Sequence, residues 1–261
     1  MQTTWFRLPL IMLFASVLAI SSTPFCAVAK DPRWPVAGRL LGKNDEKSTD
    51  VSGIACSTAK GYPRSCVVID DNLQAAQLVT LEEARILAGE PIPLINNRHG
   101  NKPLELDGEG VAYADGAYFV IGSHGHPRDK DKKLNRVKDA DAIRARIAAS
   151  SQIVRIELNG NGSPGLISRT SKLRSVIAAD PTLRAFLDQR LEDNGVTIEG
   201  VTVRDGRLFA GFRGPSLSDG KAAVLSVALA GLFGTTEPDS RLFRLGLGKG
   251  QGVRDLCSYL G

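Results

Sequence analysis

The chain reads EGVAY at residues 109–113 and DGAYFV at residues 115–120, and this two-part pattern returns as EGVTV at 199–203 and DGRLFA at 205–210. In both copies a glutamate and a glycine open a short apolar segment, and an Asp-Gly pair leads into the next one. An Asp-Gly pair between two such segments is a strong signal for a β-hairpin. A hairpin unit that recurs along a chain is typical of stacked or radially arranged β-sheets. The repeat therefore predicts an architecture, and it does not identify a substrate.

The spacing of the repeat favours a β-propeller. The glycine of the pattern occurs at Gly53, Gly110, Gly200 and close to Gly252, and a propeller blade takes roughly 40–50 residues. This spacing predicts four to five blades. The interval between Gly110 and Gly200 holds either two blades, one of them degenerate and beginning near Gln152, or one blade with insertions. We therefore expect an all-β fold, a β-propeller that is incomplete or has a degenerate blade. A β-sandwich with Greek-key connections is the alternative, since it would not need the pattern to recur.

Two short helices are expected to interrupt the strands. The first covers residues 141–150, which are rich in alanine and arginine. The second is predicted to begin at Asp180-Pro181, because aspartate is a good N-cap and proline fits the first turn, and to end at Asn194-Gly195. The chain stops within a segment that resembles the start of a blade. Either a strand near residues 39–41 closes the ring, or the sequence is incomplete.

The first 29 residues have the features of a secretory signal peptide. Arg7 precedes an apolar stretch at residues 8–20, and the small residues Ala27 and Ala29 mark a cleavage site. The apolar stretch is shorter than the roughly 20 residues that span a bilayer, so a retained membrane anchor is the less favoured interpretation. We expect cleavage after Ala29, a propeller-like domain over residues 30–261, and a periplasmic or secreted protein without a membrane span.

Cysteine usage fits this destination, because exported proteins can keep disulfide bonds. Cys56 and Cys66 flank a turn-rich stretch between two strand-like segments, so we expect them to be bonded to each other. Cys257 is then left without a partner in the mature chain, and the sequence indicates no role for it.

The charge balance argues against nucleic-acid binding. Loss of Arg7 with the signal peptide leaves 32 of the 33 basic residues, against 28 acidic ones. This surplus is small, the basic residues between positions 128 and 146 alternate with acidic ones, and no aromatic side chains are interleaved for base stacking.

Seven segments together resemble a known family. They are DVSGIAC (50–56), CVVIDD (66–71), ELDGEGVA (105–112), VIGSHG (120–125), IEGV (198–201), GFRGP (211–215) and GVRDL (252–256). The resemblance is to the bacterial domain-of-unknown-function family three-six-one-six, which is similar to esterase-like phytase propellers, and it covers nearly all of the mature chain. It implies a propeller and an exported bacterial protein, and it implies no established activity. Members of that family continue past the GVRDL segment, which leaves ring closure open here.

The repeated glutamate points to a site on the propeller axis. If the pattern begins the innermost strand of each blade, Glu109 and Glu199 are related by rotation about the axis and face a common funnel. Ser52 occupies the related position in the first segment, and Asp255 occupies it in the last. Carboxylates that converge in this way are unfavourable unless their charge is compensated.

Two kinds of compensation are expected. Calcium is one, because this hard ion prefers oxygen ligands. Its predicted ligands are Glu109, Glu199, Asp107 and Asp255, with Asp70 and Asp71 as further candidates. The alternative is structural: each glutamate accepts hydrogen bonds from strand amides or pairs with Arg213 or Arg254.

The catalytic candidates are His124, Glu199 and Arg213. A histidine near neutral pKa suits general acid–base chemistry with a distant carboxylate. Ser123 and His124 are adjacent on a strand and point to opposite faces, so they do not form a nucleophile–base pair. Closing a blade by hydrogen-bonding a backbone carbonyl is the alternative role for His124.

Two arginines are candidates for a ligand site. Arg213, within GFRGP, and Arg254 are predicted to grip a phosphate or carboxylate in bidentate fashion, with Ser123 as a further contact. The first interpretation is thus a propeller with a rim-side site for a small anion, stabilised by calcium. The alternatives are a phosphoester hydrolase similar to the phytase relatives and a non-catalytic binding or scaffold protein of the cell envelope.

Overall fold

The computed structural model describes residues 34–128 and 134–258. The predicted signal peptide and its cleavage site after Ala29 lie outside these residues. Among the described helices, none is both long and apolar enough to cross a membrane.

The first blade is an antiparallel sheet with one added parallel strand. It contains β1 (Val36–Ala37), β2 (Val51–Cys56), β3 (Arg64–Asp70), β4 (Ala75–Glu82) and β5 (Arg85–Pro93) in the order β1-β5-β4-β3-β2. The strand β1 pairs with β5 in parallel, and all other pairs are antiparallel. A two-stranded ribbon follows, formed by β6 (Arg98–His99) and β7 (Lys102–Pro103).

The second and third blades each have four antiparallel strands. The second runs β8 (Gly108–Ala114), β9 (Ala117–Gly122), β10 (Ile153–Leu158) and β11 (Pro164–Thr170), with α1 (Ala140–Ser150) between β9 and β10 and α2 (Lys172–Ala179) after β11. The third runs β12 (Thr197–Arg204), β13 (Arg207–Leu217), β14 (Lys221–Ala228) and β15 (Ser240–Gly246), with α3 (Leu229–Phe233) between the last two. The predicted all-β class is confirmed, and the three sheets are blades of an incomplete propeller.

The turns of the repeat form as the sequence predicts. Asp115 and Gly116 have φ angles of 49° and 76°, and Asp205 and Gly206 have 50° and 69°. Two successive residues with positive φ make the two-residue hairpin turn whose twist matches that of β-strands. These turns fix the register of β8 with β9 and of β12 with β13, so both predicted hairpins are confirmed.

Glycines allow the innermost strands of neighbouring blades to approach closely. A Cβ atom added at Gly53 would lie 3.0 Å from the Cα of Gly110, and one added at Gly110 would lie 2.9 Å from Val201. One added at Gly200 would lie 3.0 Å from the backbone of Asp255. The strands β2, β8 and β12 and the segment after β15 are therefore successive neighbours, each packed on the next at the glycine of the repeat.

A β-bulge occurs at the same place in every inner strand. The pairing register shifts at Ser52 in β2, at Glu109 in β8 and at Glu199 in β12. A bulge leaves one residue outside the ladder and redirects its side chain. Ser52, Glu109 and Glu199 are thus equivalent positions, as the repeat predicts.

Apolar side chains fill both junctions between blades. One cluster joins the second and third blades and includes the fully buried Ile121, Ile198 and Phe212. Another joins the first and second blades around Ile69 and Tyr118. These clusters fix the positions of the inner strands that carry the glutamates.

The predicted position of the second helix is wrong. The helix α2 ends at Ala179, just before Asp180, and the predicted helical segment instead contains the short 3₁₀ turns Arg184–Phe186 and Leu191–Asp193. The Asp180 carboxylate does accept bonds from the amides of Thr182 and Leu183 at 2.8 and 2.9 Å, but only one turn follows. Asp188 has a φ of 60°, and this left-handed conformation interrupts an α-helix.

The blade count in the described residues is also lower than predicted. Three sheets of four or five strands are present besides the two-stranded ribbon, rather than four to five blades, because the interval between Gly110 and Gly200 holds one sheet together with α1 and α2. The strands β5 and β11 were not anticipated, since residues 85–93 and 164–170 lack a clear alternating pattern. The first predicted helix is confirmed as α1.

Candidate functional site

The side chain of Glu199 is the centre of a buried ionic cluster. The bulge in β12 directs it inward, and only 6% of the side chain is exposed. Arg213, on the neighbouring strand β13, donates a hydrogen bond from Nη1 to Oε1 at 2.6 Å. Arg128, which follows β9, lies 3.5 Å from the same oxygen. The structural alternative for Glu199, pairing with Arg213, is therefore realised in the structure.

Arg254 approaches the other carboxylate oxygen. Its Nε atom lies 2.7 Å from Oε2 of Glu199, but the N–H direction does not meet hydrogen-bond geometry, and Oε2 has no hydrogen-bond partner among the described residues. The contact is thus an ion pair without a well-aligned hydrogen bond. Gly252 helps to position Arg254, because a side chain at residue 252 would overlap the backbone carbonyl of Arg213.

Glu109 lies close enough to Glu199 for the two charges to interact. Burial raises the pKa of Glu109 to about 8, with further contributions from Asp107 and Glu199, while Arg128 opposes the shift. Burial likewise raises the pKa of Asp107, and a hydrogen bond with the Ser123 side chain and the charge of Arg128 act in the other direction. The predicted residues Asp107, Glu109, Ser123 and Glu199 are therefore brought together, with Arg128 among them.

The balance of charge at this site favours an anion. Three guanidinium groups surround the Glu199 carboxylate, and the raised pKa leaves most of Glu109 protonated at neutral pH. Arg213 and Arg254 also line a common cavity of about 310 Å³. The two predicted ligand-binding arginines thus share one concave surface beside Glu199, and their role in binding stays a prediction.

The geometry gives little support to a metal ion. No group of three or more His, Cys, Asp or Glu side chains in residues 34–128 and 134–258 is arranged to hold one. Asp255 is exposed, and its carboxylate accepts a bond from the amide of Leu256 at 2.7 Å. The packing at Gly200 places Arg254, rather than Asp255, where the inner strands β8 and β12 carry glutamate. Calcium remains a prediction.

The side chain of His124 is buried and is influenced by the charge of Arg174. Its side chain is 1% exposed, and neither ring nitrogen has a hydrogen-bond partner among the described residues. Burial, together with the charge of Arg174, lowers its pKa to about 3. Its backbone amide donates to the carbonyl of Ser150 at 3.1 Å. An imidazole with this pKa is poorly matched to proton transfer near neutrality, so the catalytic role of His124 stays a prediction.

Cys56 and Cys66 form the predicted disulfide, with an S–S distance of 2.06 Å. It connects the paired strands β2 and β3. Cys257 is exposed and carries a free thiol.

Sequence reasoning missed Arg128. It stands at the start of the mixed-charge run at residues 128–146, in which no site residue was predicted, whereas the structure places it 3.5 Å from Glu199. Its position three residues after Gly125 was the available signal, because VIGSHG ends the strand β9 at the same end of the blade as Glu109.

Comparison with known proteins identifies the family of the chain. No curated protein matches the chain. The family described as "Protein of unknown function (DUF3616)" matches residues 69–259, which include the repeat and every member of the cluster around Glu199. The chain therefore belongs to this family of unknown function, the one that its seven segments resemble.

Proposed function

We propose that the protein is an exported β-propeller that binds a small anionic ligand, through a carboxylate or phosphate group, at Arg213 and Arg254. The observation that carries this proposal is the pair of arginines on one cavity beside a buried glutamate. The proposal concerns binding and assigns no catalytic activity.

Glu199 acts in the proposal as a positioning residue. Its carboxylate holds Nη1 of Arg213 and lies against Nε of Arg254. The arginine side chains are 32% and 69% exposed, so other donors of both groups face the cavity and solvent. Arginines that are oriented before binding lose less conformational entropy when a ligand arrives, and planar guanidinium groups suit bidentate contacts with carboxylate or phosphate.

One observation supports export. A disulfide joins Cys56 to Cys66, and disulfides persist in oxidising compartments. Accumulation of the full-length chain in the periplasm or medium, with the mature N-terminus at Lys30, would test the predicted cleavage.

The binding experiment compares anions by thermal shift and isothermal titration calorimetry. Phosphate, acetate and citrate are titrated into the mature protein, with chloride held constant. A ligand that binds only the folded state raises its stability, by about 2.7 kcal/mol when its concentration is 100 times Kd. Arg254→Gln should weaken this effect about ten-fold or more, since a charge-assisted hydrogen bond is lost. Arg204→Gln, an exposed arginine on β12 that pairs with Asp205, serves as the matched control.

Two results would overturn the binding proposal. One is that none of the anions raises the melting temperature. The other is that Arg254→Gln and Arg204→Gln change the anion response equally, which would indicate general charge screening.

A phosphoester hydrolase is the second candidate, and one observation favours it. The Ser123 side chain and the charge of Arg128 both act to lower the pKa of Asp107, and Arg128 also lies 3.5 Å from Glu199. A hydroxyl beside a carboxylate and an arginine suits attack on a phosphoester. The binding interpretation comes first because Ser123 is 2% exposed. Phosphate release from p-nitrophenyl phosphate and phytate, abolished by Ser123→Ala, would favour the hydrolase.

A further inference from the structure

A second cleft lies between α1 and the start of α2, lined by different residues from those around Glu199. Its volume is about 740 Å³, within the range of roughly 300–1,000 Å³ that is usual for small-molecule sites. One wall is an apolar face of α1, formed by Ala140, Ile143, Ile147 and Ala148. This cleft was not indicated by any motif in the sequence.

Three arginines line the cleft, Arg136, Arg144 and Arg174, together with one carboxylate, Asp188. Arg136 and Arg144 are exposed and pair with Asp193 and Asp141, which do not line the cleft. Arg174 is the most enclosed of them, with 24% of its side chain exposed. It is held by Asp188 at 2.5 Å and by a bond of 3.4 Å to the carbonyl of His124. Guanidinium groups offer only hydrogen-bond donors, so an anionic acceptor suits this end of the cleft.

One polar atom in the lining lacks a partner. Ser151 is 1% exposed, lines the cleft, and its hydroxyl makes no hydrogen bond within the part of the chain that the structure describes. A buried hydroxyl without a partner is unfavourable. An oxygen atom of a ligand in the cleft would accept the missing bond.

From these features we infer that the cleft binds a small amphipathic carboxylate. The hydrocarbon part of the ligand packs against Ile143 and Ile147. Its carboxylate pairs with Arg174 and accepts a hydrogen bond from the Ser151 hydroxyl. This site is separate from the anion site at Arg213 and Arg254, where the cavity is lined mainly by polar residues and glycines.

Three ligands test the apolar contact and the charged contact separately: octanoate, acetate and 1-octanol. Isothermal titration calorimetry on the mature protein should detect octanoate below its micellar concentration. Acetate lacks the apolar chain and 1-octanol lacks the charge, so each should bind at least about ten-fold more weakly. Equal binding of 1-octanol and octanoate would overturn the inference, and so would the absence of octanoate binding.

Variants locate the site on the molecule. Ala148 is exposed on the cleft side of α1, so Ala148→Trp should fill the cleft and abolish octanoate binding without disturbing the core. Arg174→Gln should raise the Kd for octanoate about ten-fold or more. Ala185→Trp changes an exposed alanine that does not line the cleft, and it should bind octanoate normally.

Circular dichroism and thermal unfolding confirm that each variant is folded before its affinity is compared. Arg204→Gln changes an exposed arginine that lines neither cavity, and it should leave octanoate binding unchanged. Ala148→Trp should keep the phosphate response of the proposed anion site, which separates failure of this inference from failure of that site. Wild-type affinity in Ala148→Trp would place octanoate elsewhere and refute the inference.

Discussion

Replacing Glu199 with glutamine should destabilise the protein, mainly through Arg213. The change keeps the size of the side chain and removes the charge that faces three arginines. Removal of one partner from a fully buried ion pair costs about 3–5 kcal/mol. Here the arginines are 32%, 45% and 69% exposed, so water solvates part of each charge. We therefore expect a loss of about 2–3 kcal/mol in the free energy of unfolding.

The assay is urea unfolding at neutral pH, with a double-mutant cycle. Glu199→Gln, Arg213→Gln and the double variant are compared with the wild type, and the coupling energy between the two positions should be about 1–2 kcal/mol. Arg254→Gln is the comparison for an exposed partner, and it should cost less than about 1 kcal/mol because surface ion pairs contribute little. High salt should reduce the effect of Arg254→Gln more than that of Arg213→Gln.

A coupling energy of zero between Glu199 and Arg213 would refute the ionic cluster as described. An increase in stability from Glu199→Gln would do the same, since it would mean that the carboxylate is a net unfavourable charge rather than the compensating partner of the arginines.

Three further predictions concern the fold around this site. His124 has a pKa of about 3, whereas an ordinary histidine has a pKa of 6.5, so the unfolded state binds more protons than the folded state between these pH values. The free energy of unfolding should therefore fall as the pH drops from 6.5 to about 3, and it should fall less in His124→Asn. Urea unfolding at several pH values measures this. Gly200→Ala should lower the melting temperature, because the added Cβ would press on the backbone of Asp255. Replacing Cys56 and Cys66 by alanine should cost about 2–3 kcal/mol in the free energy of unfolding, given the short loop that the disulfide closes.

Each of these predictions has a matched control in the chain. His99→Asn changes an exposed histidine and should leave the pH dependence as in the wild type. Gly160→Ala adds a Cβ where no atom lies within 4 Å and should be nearly neutral. A reducing agent should lower the stability of the wild type and have no effect on the double cysteine variant. A result in which a control behaves like its test variant contradicts the corresponding contact.

Much of the fold could be predicted from the sequence, because the patterns that determine it are local. The Asp-Gly turns at 115–116 and 205–206 select their own backbone conformation, and alternating apolar residues on either side of them select strands. The repeat also predicted that Glu109 and Glu199 are equivalent, and the bulges at both positions show why: the residue before the glycine leaves the ladder in each inner strand. The disulfide was predicted from two cysteines that flank the turn-rich stretch between paired strands.

The residues that surround Glu199 were harder to predict from the sequence, because they depend on which blades pack together. Arg128, Arg213 and Arg254 come from three different elements and meet only through Glu199. The low pKa of His124 arises from burial and from the charge of Arg174, and the cleft beside α1 exists only where α1 and the start of α2 come together. The amino-acid sequence by itself determined the turns, the strands and the equivalence of the two glutamates, since those depend on neighbours along the chain. Only the tertiary structure decided the charge around Glu199 and the surroundings of His124, since desolvation and ion pairing depend on atoms that are distant in the sequence.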